Sequence, residues 1–331
     1  MEINYKLMNS YQECHKIFKQ HAKTYYWGAL LFNHDRFLHI CAFYALVRYV
    51  DDIVDTEIGN NKIKFEKILE FEKKFFDLLE LTVDKKFEIK EEIWLNYPTI
   101  MRAVIYTTNL IKIDRIIYHK FFFSMKLDLK KNKYNTFREL KEYMEGSAAV
   151  IGEVMLQIMS FNNNCSNYND NKMRLYARNL GFGFQLTNFL RDIKEDLLML
   201  PSRVYIPIED QKKFNCDISE FVNDDNFKKL IEFELKRCDE IYQIAQVGIE
   251  KIDSENRDAI NISKILYSQI NQEIRKKKYD VSERISISKF EKIKILYNTL
   301  GFWKAIIVIF TIFFNYLKYN YIYVYVYSTG L

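Results

Sequence analysis

Apolar positions recur at helical spacing along most of the chain. Between residues 36 and 55, Phe37, Leu38, Ile40, Phe43, Tyr44, Leu46 and Val47 leave almost no polar face. A helix apolar on nearly all sides belongs in a core. Residues 11–31 carry a similar pattern, whereas "KIKFEKILEFEKKFFDLLE", opening a stretch from 62 to 90, sets acids and bases at helical offsets and predicts a solvated outer helix. Pro98 opens an apolar helix in "TIMRAVIYTTNL", "LKKNKYNTFREL" reads as a polar connection into a helix at 136–160, and "FNNNCSNYNDN" reads as a loop. Further helices are predicted at 170–199, ending near Pro201, and from about 227 to 275, with Pro207 in a turn or extended segment between them.

Only 3 prolines and 9 glycines interrupt 331 residues, so an all-α protein is expected. No repeat, Ser/Gly linker or shift in composition divides residues 1–300, which predicts one helical domain, with 301–331 as an apolar, tyrosine-rich appendage. Its apolar core runs from Ala305 to Phe314, short of the roughly 20 residues that cross a bilayer but long enough to contact one. A net charge of +5 without a basic run or a recognisable nucleic-acid motif argues against a nucleic-acid partner. Five cysteines at irregular spacing form neither a disulfide framework nor a metal motif, and the polar N-terminus lacks the apolar region of a secretory signal, so a cytoplasmic setting is expected.

Against this apolar background "NFLRDIKED" stands out. Gln185, Asn188, Asp192 and Asp196 follow offsets of three and four and share one stripe, with Glu195 at its edge. "FYALVRYVDDIVD" repeats the device with Tyr44, Arg48, Asp51 or Asp52, and Asp55. One such stripe alone would read as a solvated face, but a buried carboxylate is costly unless it is paired, hydrogen-bonded or bound to a metal. Two stripes on apolar helices therefore predict a cavity with acids on facing walls. Mg²⁺ takes one or two carboxylates together with substrate phosphates, so the pattern suggests a diphosphate substrate. A di-iron carboxylate bundle would need Glu-x-x-His, and none of the five histidines has Glu three residues before it.

Five segments in order, "HAKTYYWGALLF", "YALVRYVDDIVD", "EYMEGSAAVIGEVM", "LGFGFQLTNFLRDIKEDLLMLPSRVYIP" and the weaker "YDVSERISISKFEKIKIL", resemble the squalene/phytoene synthase family over most of residues 10–300. The resemblance implies an isoprenoid-synthase-type helical bundle that condenses two prenyl diphosphates head to head. It places Asp51, Asp55, Asp192 and Asp196 on Mg²⁺, with Mn²⁺ as the alternative ion. Arg48, Arg191 and Arg203 would surround the diphosphates, and Tyr143 would stand beside the reacting carbons. Gln185 and Asn188 would seat metal and diphosphate, while His21, Lys23, Thr24, Tyr44 and Tyr205 would line the substrate site. Ala22 and Thr24 stand where serines often occur in the family. Gly146, Ala148 and Gly152 would let helices approach closely along a prenyl tunnel.

"QLTNFLRD" and "SKFEKIKIL" look closer to the phytoene branch and its bacterial members than to eukaryotic squalene synthases, which implies two geranylgeranyl diphosphates as substrates. The alternatives are a farnesyl diphosphate enzyme making squalene, dehydrosqualene or presqualene diphosphate, with NADPH required only for squalene, and a non-catalytic assembly factor of the same family. Such factors tend to lose the acidic motifs that are intact here. The apolar tail and Lys289, Lys292 and Lys294 upstream of it imply contact with a membrane surface. No oligomeric state is implied, and a monomer is compatible with every feature above.

Overall fold

The structure is a computed structural model and describes residues 5–22, 24–55, 60–83, 91–162 and 170–319. Lys23, Cys165, the predicted end of the outer helix at 84–90, and the tail beyond 319 lie outside the described residues.

Among the described residues the chain is all-α, and its one strand-like contact is an isolated parallel bridge between Lys133 and Val204. The first half comprises α1 (Tyr5–His21), α2 (Tyr25–Ala29), α3 (His34–Asp55), α4 (Asn61–Val83), α5 (Glu91–Trp94), α6 (Met101–Ile111) and α7 (Arg115–Asp128). Next come α8 (Phe137–Met144), a π-turn at Glu145–Ala149, α9 (Val150–Ser160), α10 (Asn171–Arg191), α11 (Ile193–Leu197) and α12 (Ile208–Lys213). The chain closes with α13 (Asp225–Ile249), α14 (Ser254–Lys276), α15 (Lys289–Leu300) and α16 (Phe302–Leu317).

Two predicted helical stretches are broken where neither proline nor glycine announces it. Residues 11–31 divide into α1, ending at His21, and α2, starting at Tyr25, while the helices expected over 227–275 are α13 and α14, the second opened where the Asp253 carboxylate accepts from the backbone N–H of Asn256. Residues 170–199 divide at Asp192, whose backbone leaves helical values (φ −102°, ψ 12°). The bond from Asp196 N–H to Asp192 C=O survives at 2.9 Å, so the two acids remain one turn apart across the bend.

Close approach at small residues sets the helix spacing. A side chain at Gly146 would come within 1.9 Å of the Lys120 carbonyl on α7, and one at Gly152 within 2.1 Å of the Ala177 carbonyl on α10. Gly28 of α2 sits equally tightly on Ser263 of α14. α10 is the axial element, packed against α9, α13 and α14, while α1 and α6 pack on α3.

The last helix lies on the body rather than beside it. Ala305, Val308 and Ile312 are buried, Asn315 Nδ2 donates to the Leu30 carbonyl at 2.6 Å, and the Tyr319 ring stacks on Phe37 at 4.1 Å. The opposite face leaves Trp303, Ile307, Phe310, Phe313 and Phe314 exposed. Tyr297 of α15 meets Phe302, and Phe302 meets Trp303, so the aromatic surface runs on from one helix to the other. No helix among the described residues is long and apolar enough to cross a membrane.

Gly146→Val should cost about 1–3 kcal/mol of stability, because the added side chain meets backbone that cannot move aside cheaply. Urea unfolding followed by circular dichroism measures the loss.

Candidate active site

The helices enclose a cavity of about 870 Å³. Its deep end is apolar, formed by Met155, Met159, Met173, Ile249 and Ile252, and its mouth is acidic. His21, Thr24, Tyr44, Arg48, Asp51, Asp55, Tyr143, Gln185, Asn188, Arg191, Asp192, Asp196, Arg203 and Tyr205 all line this one space. Ala148 and Gly152 form part of the wall beyond Tyr143.

The acids sit at the C-terminal end of α3 and at the α10–α11 bend, and each pair is held by arginine. Arg48 contacts Asp51 at 3.4 Å and also pairs with Asp52, which turns away from the cavity lining. Arg191 donates from Nε to Asp192 at 2.7 Å. After α11 the chain turns back, with Arg203 N–H bonded to the Asp196 carbonyl at 2.9 Å, and residues 204–209 then bond along 132–135. That pairing brings Arg203 and Tyr205 alongside the end of α7. There Arg203 Nη1 lies 2.7 Å from Asp55 Oδ1 and 3.2 Å from Asp128 Oδ2, while the Tyr205 hydroxyl donates to Asp128 Oδ1 at 2.9 Å.

Protein crowding and like charge act together on these carboxyls. Burial and the neighbouring Asp192 push Asp196 up to about 8, and burial, partly opposed by Arg203, pushes Asp128 up to about 6. Asp51 is also raised: water reaches it through the mouth, but protein encloses it and Asp55 adds repulsion. Burial works against the charge on Arg203, yet Tyr205, Asp128 and Asp55 outweigh it and push its pKa up, so it stays a cation. A mouth crowded with carboxyls that resist ionising together is one that a divalent cation would relieve.

Asn188 Oδ1 adds a second mark, since it is buried and has no hydrogen-bond donor within the protein. Among the described residues no three His, Cys, Asp or Glu side chains form a complete metal cage. Acids arriving in pairs from different walls suit Mg²⁺, which relies on substrate phosphates for further oxygens. The donor set therefore fits that ion.

Beside the acids stands an aromatic wall. Phe189 and Tyr205 stack at 4.0 Å, and Tyr143 lies 5.8 Å from Tyr205 and 5.5 Å from Tyr134. The backbone of Tyr143 is fixed just before the π-turn, where its carbonyl accepts from Ser124 Oγ at 2.8 Å. Burial, and then Asp128, raise the pKa of the Tyr143 phenol, so the ring presents a neutral face.

Three lining residues are not singled out by the sequence, although one of them, Arg284, stands within the segment "YDVSERISISKFEKIKIL". Asp128 closes the apolar run "FFFSMKLD" just before "LKKNK", where a lone acid reads as a helix-end residue. Tyr267 comes from α14, and Arg284 reaches in from the segment before α15, lying 3.5 Å from Asp192 and 3.1 Å from Glu195. Glu195 is half exposed and turned towards Arg284, in keeping with its place at the edge of the stripe. Lys292, grouped with the lipid-facing lysines in the sequence, is instead buried with its ammonium 5.5 Å from the centre of the Trp27 ring, because its position falls on the inner face of α15.

Paired acids at the mouth of an apolar cavity, within an all-helical fold, define an isoprenoid synthase. The squalene/phytoene synthase family model matches residues 18–291, and the chain belongs to that family. It is a prenyltransferase, as the family's phytoene synthases are. A phytoene synthase from Arthrospira platensis is 28% identical over 303 residues, covering 87% of this chain and 91% of its own. The fold is shared with a dehydrosqualene synthase solved with ligand, at a TM-score of 0.74 and 19% identity, covering 90% of this chain and 98% of that one. A squalene synthase from Alicyclobacillus acidocaldarius gives 0.68 and 18%, covering 84% and 97%.

The orphaned oxygen gives a stability test. Asn188→Leu should melt no lower than the parent, because it removes a buried acceptor without a donor. Thr187→Val should lose about 1–2 kcal/mol, since Thr187 Oγ1 bonds the Tyr242 hydroxyl at 2.9 Å and Asn271 at 3.2 Å. Thermal denaturation of the two variants measures the contrast.

Proposed function

We propose that the chain condenses two geranylgeranyl diphosphates head to head, through a cyclopropylcarbinyl diphosphate, to phytoene. Asp51, Asp55, Asp192 and Asp196 would hold Mg²⁺. The bound ions would supply positive charge to the departing diphosphate. Arg48, Arg191 and Arg203 line the same mouth and would share that charge. In the first half of the reaction a diphosphate leaves, the allylic cation alkylates the double bond of the second substrate, and a proton is lost as the cyclopropane closes. In the second half another diphosphate leaves, the skeleton rearranges, and a second proton is lost to give the triene, with no reductant consumed. The faces of Tyr143, Tyr205 and Phe189 suit a passing carbocation, and the apolar depth of the cavity keeps water from it.

The observation that carries the C20 reading is the depth of the cavity. Along α10 from Asp192 to Met173 the helical rise gives about 28 Å. At roughly 1.3 Å of advance per backbone carbon, a C20 chain reaches about 20 Å and a C15 chain about 15 Å, so with the diphosphate seated at the mouth the longer chain matches the depth more nearly. The phytoene synthase among its relatives supports the same choice.

The exposed aromatic face of α15 and α16 supports contact with a membrane surface, into which a hydrocarbon product would pass. Exposed Lys289 and Lys294 lie on the same helix as Tyr297 and can meet anionic headgroups.

Purified protein with Mg²⁺ should convert geranylgeranyl diphosphate to phytoene without NADPH, as identified by mass spectrometry. A product formed only from farnesyl diphosphate with NADPH would overturn the reading. Asp55→Ala and Asp192→Ala should each lower kcat by roughly 100-fold or more. In a flotation assay the protein should rise with phosphatidylcholine vesicles containing phosphatidylglycerol, and Trp303→Glu/Phe310→Glu should stay in the dense fraction with its activity in detergent intact.

A further inference from the structure

We propose that Asp128 is a positioning residue that keeps Arg203 aimed into the cavity when a metal ion takes Asp55. The inference rests on the metal-diphosphate reading above and adds a role for an acid outside both aspartate motifs.

Arg203 shares one nitrogen, Nη1, between Asp55 Oδ1 at 2.7 Å and Asp128 Oδ2 at 3.2 Å. Asp55 cannot serve a divalent cation and remain the full counter-charge of the guanidinium, and the cation itself repels Arg203. Without a second anchor, Arg203 would either hold Asp55 against the metal or be driven off as the metal binds. Asp128 is suited to be that anchor. It comes from α7, away from the two metal-facing helices, and is only 7% exposed. Its other oxygen is held by the Tyr205 hydroxyl at 2.9 Å, and the Tyr205 ring is itself fixed against Phe189 at 4.0 Å. The carboxylate, which the Tyr143 hydroxyl also meets, thus has a fixed rotamer and turns Oδ2 towards Arg203. As Asp55 turns to the metal, Arg203 stays tethered to Asp128 and presents its remaining N–H groups to the diphosphate, a geometry the planar guanidinium serves better than an ammonium.

The test needs no turnover. Inorganic pyrophosphate is held constant, Mg²⁺ is titrated, and the midpoint of the rise in melting temperature is read. Asp128→Asn keeps the shape and the Tyr205 contact but removes the charge, which leaves Arg203 on Asp55 alone. It should need about tenfold more Mg²⁺, equivalent to about 1.4 kcal/mol. Asp128→Glu should recover most of the parent midpoint. In an Arg203→Gln background Asp128→Asn should no longer shift the midpoint, because nothing is left to anchor. An unchanged midpoint in Asp128→Asn, or an equal shift with and without Arg203, overturns the proposal, the second outcome assigning Asp128 a merely structural part. If Asp128→Asn does not fold, Asp128→Ser carries the same comparison. A parent that does not respond to Mg²⁺ and pyrophosphate at all overturns the metal-diphosphate reading together with the anchor.

Discussion

The arrangement depends on one electrostatic constraint, the presence of several carboxyls in a space walled by apolar helices. Five aspartates line that space, and burial raises the carboxyls of Asp51, Asp128 and Asp196, so the charge there calls for cations beside it. Arg48, Arg191, Arg203 and Arg284 supply them; the first two pair within their own stretch, while Arg203 and Arg284 also join segments distant in the chain. Arg203 ties the end of α3 to the end of α7 from a loop that follows α11. An enzyme that must receive two diphosphates gains from holding its arginines close to the acids beforehand, since little reorganisation remains when the anions arrive.

Rigidity around this charged mouth comes from close backbone packing. The glycines that let α7, α9 and α10 approach one another flank Tyr143 and its π-turn, so the aromatic wall is fixed from behind by neighbours that cannot shift. A cavity that must guide a cation along one course needs walls of this kind more than it needs strong individual contacts.

Much of this was legible in the sequence, for a physical reason. Carboxylates at helical offsets on an otherwise apolar helix are too costly to be accidental, so both aspartate stripes and the cavity between them could be read directly, and the family resemblance named their chemistry. The break at Asp192 could not, because no proline or glycine marks it. Asp128 was hidden because one acid beside a lysine-rich connection looks solvated until residues 204–209 fold back along 132–135 and bring Tyr205 and Arg203 to it. Lys292 erred in the opposite direction: a run of lysines looks uniformly exposed until the helix phase turns one of them inward.

The seat of α16 bears on the order in which the molecule can be completed. α2 helps to wall the cavity through Tyr25, yet its outer support comes from Asn315, bonded to the Leu30 carbonyl nearly three hundred residues later, and from Tyr319 stacked on Phe37. A chain emerging N-terminus first can form α1 to α3 early, but the C-terminal end of α2 and the start of α3 gain these partners only after residues 315–319 have left the ribosome. The support behind this part of the wall therefore comes from the same helix that carries the aromatic face.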